Sequence, residues 1–477
     1  MLTFFRITLV SSLILFSQQY EDLIKQHIIQ RLNDSVDPCD NFYDHVCPTG
    51  IRAGDTFLAL SVNAYQKEFN QIVTEFDVFT RELASENNVR TMVNQLLDIC
   101  YKPGVGKLLA ISFAMNAMPS FPLTVNSSCE SIAYLFGFQY RPEVLSKSFL
   151  MASRILFDLP KIFKAVRSNR FRESQVIALE LYEDLAEELQ QKIKETPWAK
   201  FRNGTAPLTD YLAKNVTFFE IDEPLLIEWE RLYRETIFSY KKENCSLLCI
   251  YIEVISKLNL FSQAGIGFIS VSRVINAFNL GGLLSLSPLI QSLVFTPNKA
   301  RMLGSLGFTF AHEFMHSFYI TEEDPKYLAQ FWTNSSDCVK EQYAATCKEF
   351  VGDSCVSGTN STNEEDGSDM AAIRLIYSYF EKHSLQKEIE NESDIRGITS
   401  AQMFFYSMAA TWCRPENDLN RNGNPDDTHS GWKVRINAVT AQMEQFKEAF
   451  QCADTSRMVQ SKTKHCAIYG CDAPETH

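Results

Sequence analysis

The chain has 477 residues, a formal net charge of −13, 45% hydrophobic residues and 22% charged ones. That composition fits an ordinary globular protein with material for two or three domains and an ample core. The acidic balance argues against nucleic-acid binding, and no basic cluster or glycine-rich phosphate loop appears.

Taken in order, residues 1–16 read as a secretory signal, with Arg6 ahead of an apolar run over 7–16. The run is shorter than the about 20 residues a membrane span needs. Secretion after cleavage near Ser17 or Gln18 is therefore expected, and a membrane anchor follows only if the segment is kept. The 13 cysteines suit that compartment. So do the glycosylation sequons at Asn33, Asn126, Asn203, Asn215, Asn244, Asn334, Asn360 and Asn391. Helical spacing is predicted over 20–32, 58–97, 174–196 and 225–242, and an edge strand over 267–277. Residues 353–367 and 414–428, rich in Ser, Asn, Gly and acid or in Asn, Asp, Gly and Pro, read as loops. Residues 432–450 read as one late helix.

The chemistry sits in an apolar run of helical length, residues 303–319, which carries His312, Glu313 and His316 as H-E-x-x-H. Residues four apart share a helix face, so both imidazoles can reach one Zn²⁺, with Glu313 beside them to take a proton from water. Two histidines and a glutamate among Phe308, Phe310, Phe314, Met315 and Phe318 would be costly to bury without such a use. The plainer alternative is an amphipathic core helix. A metzincin continuation needs Gly at 319 and His at 322, where Tyr319 and Glu322 stand. A gluzincin needs a Glu on a second helix, and Glu365 supplies it, with Asp369 one turn later to receive a ligand imidazole's other N–H. Against this, Thr362 and Glu365 also read as a capping box.

Several ordered segments together resemble the neprilysin family of zinc metallopeptidases. These are Asp37-Pro-Cys39 with Phe42-Tyr43 and Cys47, Asn276-Ala277-Phe278, and the two zinc segments. Downstream follow Cys338 with Gln342-Tyr343, Phe404-Phe405 through Trp412-Cys413, Asp427-Thr-His-Ser430 with Arg435, Phe450-x-Cys452 and Cys466-x-Ile-Tyr469. The resemblance implies a mainly α fold with a small β-sheet, a thermolysin-like gluzincin catalytic domain plus a reduced helical lid domain. It divides the chain into a signal at 1–18, a mostly helical region at 19–250 and a catalytic domain at 251–477. It implies one zinc per chain on His312, His316 and Glu365, with Glu313 as general base. His429 would stabilise the oxyanion, Asp427 would hold His429, and Asp369 would orient a zinc ligand. Asn276, Ala277 and Arg435 would bind the substrate backbone. Peptides cleaved on the amino side of hydrophobic residues are the implied substrates. A catalytically inactive peptide-binding decoy and a zinc-stabilised structural protein are the alternatives.

The resemblance also implies disulfides Cys39–Cys452, Cys47–Cys413, Cys100–Cys129 and Cys338–Cys466. Cys245, Cys249, Cys347, Cys355 and Cys471 are extra, and their odd number leaves at least one without an internal partner. There are departures from the family pattern. Ser317-Phe318-Tyr319 replaces Gly-Phe-Asp after His316, Glu364 stands where a Gly precedes the ligand Glu, and Met370-Ala371-Ala372 replaces Gly-Gly. Phe308, Thr309 and Trp412 are candidates for the side-chain pocket. Only residues 101–128 separate Cys100 from Cys129, which implies that most of the helical lid is missing and the cleft is open.

Overall fold

The computed structural model describes residues 28–52, 166–195, 216–218, 223–243, 277–280, 282–286, 292–296, 298–317, 325–353, 355–393, 395–415 and 428–469, with a few single positions besides. The expected signal, the helix over 58–97, the Cys100–Cys129 bridge, the shortened lid, Asn276 and Asp427 lie outside the described residues. So do Cys245, Cys249 and Cys471.

The described elements are mainly helical with one small sheet. Near the start, a 3-10 turn at Ile29–Arg31 stands where the end of a helix over 20–32 is expected. Helix α1 (Phe42–Val46) follows, its Asn41 cap accepting a hydrogen bond from the Asp44 N–H at 3.2 Å. Helix α2 (Asn169–Lys194) starts five residues before the predicted span, because Ser168 caps it through the Phe171 N–H. Leu181, Leu185, Leu189 and Ile193, four apart, are buried along one face. Strand β1 (Thr217–Phe218) precedes α3 (Glu223–Glu243), which buries Leu226, Trp229, Tyr233 and Ile237 at helical spacing.

Strands β2 (Ala277–Leu280) and β3 (Leu283–Leu286) form an antiparallel hairpin in which Ala277 pairs with Leu286 and Leu280 with Leu283. Gly282 takes φ +93° in its two-residue connection. The expected strand over 267–277 meets the observed sheet only at Ala277. β3 is central and also pairs in parallel with β1, giving the order β1-β3-β2.

Helix α4 (Lys299–Met302), capped by Asn298, runs through a π-helical turn, Leu303–Gly307, into α5 (Phe308–His316). The wider turn lets the backbone pass close to a neighbouring helix. A Cβ on Gly304 would stand 2.2 Å from the carbonyl oxygen of Phe404. A long helix not anticipated from the sequence, α6 (Pro325–Phe350), comes between the two segments of the site. Helix α7 (Asn363–Leu385) begins inside the predicted loop over 353–367, since Glu364 and Glu365 in its first turn complement the helix dipole. The aromatic run forms α8 (Ser400–Thr411), opened by a capping box between Thr399 and Gln402.

The expected single helix over 432–450 is two, α9 (Trp432–Ala441) and α10 (Glu444–Phe450). Met443 leaves helical geometry at φ −105° and ψ 113°. At the break, the buried Gln442 amide donates to Gln342 and to the Lys464 carbonyl, each at 2.7 Å, and accepts from the Cys466 N–H at 3.0 Å. A short helix α11 (Arg457–Gln460) follows.

One hydrophobic cluster runs from Ile28 to Tyr469 and includes Phe42, Leu185, Leu284, Phe310, Ile376 and Phe405. Described segments on both sides of residue 250 share it. Three of the implied disulfides are present: Cys39–Cys452, Cys47–Cys413 and Cys338–Cys466. Cys347 and Cys355, unassigned from the sequence, pair across the end of α6. Among the described residues, no helix is long and apolar enough to cross a membrane.

Candidate metal centre

Helices α5 and α7 pack along each other and bring the two zinc segments together. His312, His316 and Glu365 each offer one ligand atom, all within 4.8 Å of one another. His312 Nε2 lies 3.1 Å from Glu365 Oε2, and His316 Nε2 lies 3.5 Å from the same oxygen. The two Nε2 atoms are 3.1 Å apart, with the rings nearly perpendicular. Glu365 Oε2 is buried yet has no in-line hydrogen bond. Three inward lone-pair donors, two nitrogens and one carboxylate oxygen, are the chemistry of a His₂Glu zinc site, and the residues fit the metal. The capping-box alternative does not form: Thr362 makes no side-chain cap bond, and its hydroxyl donates instead to Asp366 Oδ2 at 2.8 Å.

The outer nitrogens face carboxylates. His312 Nδ1 stands 2.8 Å from Asp369 Oδ1, close but off the line of a hydrogen bond. His316 Nδ1 makes a 3.1 Å hydrogen bond with Glu364 Oε1. Asp369 is buried, and Arg435 holds it through Nε on Oδ2 at 2.7 Å and Nη2 on Oδ1 at 2.8 Å. The Tyr343 hydroxyl donates to Oδ2 at 3.3 Å. Arg435 itself is 2% exposed and lies 3.9 Å over the Trp412 ring and 5.1 Å over that of Trp432. The contacts shown for Arg435 therefore go inward to Asp369 and the tryptophans. Its expected hold on a peptide backbone is not among them.

Charge balance follows from these contacts. Burial works against a charged Asp369, but the Arg435 guanidinium overrides it and holds the carboxyl down to about 2. Burial likewise opposes protonation of His316, yet Glu364 and Glu365 outweigh it and raise the imidazole to about 11 in the metal-free site. Burial also opposes charge on His312, which Asp369 and Glu365 raise all the same. Glu365 is held well below its ordinary value, its burial outweighed by His312 and His316. Asp366 differs: burial pushes it up to about 8 against the opposing Ser430 and Thr362 hydroxyls, leaving a neutral acid beside the ligand Glu365.

The remaining predicted residues surround this group. Glu313 is half-buried on α5, and its negative charge adds to those raising His316. His429 brings Nε2 to 3.3 Å from Glu365 Oε2 and stacks on Trp432 at 26°. Phe308 and Trp412 meet at 5.6 Å, and Trp412 stands edge-on to His312 at 6.0 Å. Thr309 is half-buried and turns its hydroxyl back to the Ser305 carbonyl. Ala277 is buried in the sheet.

Asn279, which the sequence reading passed over, ties the sheet to the site. Its amide donates at 2.6 Å both to the Glu313 carbonyl and to the Ser317 hydroxyl, while its oxygen accepts from the Gly282 N–H at 2.9 Å. Its signal was its place three residues after Asn276. Tyr343 stands in the Gln342-Tyr343 segment and Glu364 directly before Glu365, and the sequence assigns neither a role.

A helix bearing two histidines against a helix bearing a glutamate is the arrangement that a gluzincin-type metal centre would need. Residues 279–466 match the model of Peptidase family M13. Neprilysin-1 of Caenorhabditis elegans is 28% identical over 222 residues, 42% of this chain and 29% of the relative. Endothelin-converting enzyme 1 of Bos taurus is 26% identical over 182 residues, 36% of this chain and 24% of the relative. The chain thus covers less than a third of the length of either. Among solved structures, the zinc metalloprotease Zmp1 of Mycobacterium tuberculosis in its open state has a TM-score of 0.45 at 17% identity, over 71% of this chain and 55% of that one. A Haemonchus galactose-containing glycoprotein complex has a TM-score of 0.48 at 14% identity, over 95% of this chain and 99% of that one.

Proposed function

We propose that the protein is a zinc-dependent endopeptidase. The observation that carries this reading is the convergence of His312, His316 and Glu365 within 4.8 Å, on helices whose sequence matches Peptidase family M13. His312, His316 and Glu365 would hold the zinc, which would supply Lewis-acid polarisation of the scissile carbonyl and a more acidic water. Glu313, half-buried beside the ligands, takes the proton of the attacking water and passes it to the leaving amine. His429, poised over Glu365 and backed by Trp432, donates a hydrogen bond to the developing oxyanion. Asp369, clamped by Arg435, holds His312 in place. Asn276 and Ala277 are proposed to hold the substrate backbone, and Asp427 to orient His429. Phe308 and Trp412 beside His312 favour a hydrophobic residue on the amine side of the cut. The proposed setting is extracellular, which the disulfides and sequons support, and the proposed partners are peptides.

The test is metal content with hydrolysis of a quenched peptide library, with and without chelator. The expected result is zinc bound in a one-to-one ratio and chelator-sensitive cleavage. Glu313→Gln is expected to keep the metal and lose at least about 10²-fold in kcat, the usual share of a positioned general base. Equal rates in wild type and Glu313→Gln would overturn the mechanism. Peptide bound tightly and never cut would favour the decoy alternative.

A further inference from the structure

Glu364 and Glu365 are consecutive on the first turn of α7, and their carboxylates reach opposite nitrogens of one imidazole. Glu365 Oε2 faces His316 Nε2 at 3.5 Å, and Glu364 Oε1 bonds His316 Nδ1 at 3.1 Å. We propose that Glu364 is a positioning residue of the metal centre, fixing the ring and tautomer of His316 from outside. The proposal rests on the metal site argued above and adds a residue to it.

The geometry separates this contact from a passing surface ion pair. His316 is buried and its ring can turn only about its own side-chain bonds. An acceptor facing Nδ1 keeps the ring's proton on that nitrogen, donated to the carboxylate, and leaves the Nε2 lone pair directed at the ligand cluster. The two outer carboxylates are built differently. Asp369 is 1% exposed on its side chain and its charge is matched by Arg435, whereas the Glu364 side chain is 49% exposed. Glu364 lies in the first turn of α7, directly before Glu365. The same contact locks the start of α7 against the end of α5 and so fixes where Glu365 stands relative to both histidines.

The test measures zinc affinity of the full chain by competition with a chromophoric chelator, and the visible spectrum of the cobalt-loaded protein. Glu364→Ala is expected to weaken zinc binding by about 10–100-fold, the usual cost of losing a carboxylate behind a ligating histidine. Glu364→Gln, whose amide oxygen can still accept from Nδ1–H, is expected to recover most of that loss. The cobalt spectrum should shift in Glu364→Ala and match wild type in Glu364→Gln. Because the Glu364 side chain is 49% exposed, both variants should remain folded without metal, so lost zinc affinity is read on folded protein. Wild-type affinity in Glu364→Ala overturns the proposal, as does a Glu364→Gln variant as weak as Glu364→Ala. Failure of the wild type itself to bind zinc would instead overturn the reading of the site.

Discussion

At the scale of single residues, Asp369 links the metal centre to the core. Four polar groups converge on its two oxygens: the His312 ring, two nitrogens of Arg435 and the Tyr343 hydroxyl. Asp369→Ala leaves the Arg435 guanidinium buried without its counter-charge. The expected loss is about 3–5 kcal/mol of stability, the scale for breaking a buried pair from one side. Denaturant titration of the metal-free protein measures it, and a loss below about 1 kcal/mol, as for a surface pair, would refute the role. The pair also sets an acid limit. The folded carboxyl is held at about 2, below its ordinary 3.8. Its stabilisation is therefore complete above about pH 4 and disappears as pH falls through about 2. Wild type is expected to lose stability over that interval, and Asp369→Asn, with no carboxylate to titrate, should show a flatter profile there.

At the scale of elements, the site depends on how closely α8 approaches the π-turn of the zinc helix. Gly304 is the point of contact, since a methyl there would overlap the Phe404 carbonyl oxygen at 2.2 Å. Backbone cannot turn aside as a side chain can. Gly304→Ala must push α8 outward or unwind the π-turn, and a cost of about 1–3 kcal/mol or more is expected, as for overpacking a tight core. The displacement should reach Trp412, which follows directly after α8 and stands against Phe308 and His312. A lowered thermal midpoint together with changed tryptophan fluorescence checks this. An unchanged midpoint would show that the helices have slack that the contact does not reveal.

At the scale of the whole molecule, two bridges tie the beginning of the described chain to its end. Cys39–Cys452 spans 413 residues and Cys47–Cys413 spans 366. Either alone closes a very long loop, and such closure stabilises by roughly 2–4 kcal/mol. With one bridge in place, the other closes only the short segments 39–47 and 413–452. Replacing one pair by serines is therefore expected to cost less than that figure. Replacing both should cost more than the two single losses added together. Chemical denaturation of the three variants tests this, and simple additivity would count against the loop-closure account.

The sequence by itself pointed to the group His312, His316 and Glu365 that the fold brings within 4.8 Å, because helical periodicity places the two histidines on one face and a downstream glutamate on a second helix is within reach. Three disulfides followed from the resemblance, since paired cysteines sit inside recognisable segments such as Asp37-Pro-Cys39 and Trp412-Cys413. The long helices α2 and α3 were legible from the spacing of their buried leucines and aromatics, with ends off by a few residues where caps such as Ser168 decide. Local pattern could not show the break between α9 and α10, which depends on Gln442 meeting Gln342, Lys464 and Cys466 across the fold. Nor could it show that Arg435 turns inward to Asp369, that Asn279 pins the sheet to Glu313, or that Glu364 reaches His316. Each of these is a bond between residues distant in sequence and adjacent in space, made only once α5, α7 and α9 have packed. Helix faces and ligand spacing are written in neighbouring residues, whereas the partners that satisfy buried polar groups are chosen by the tertiary structure.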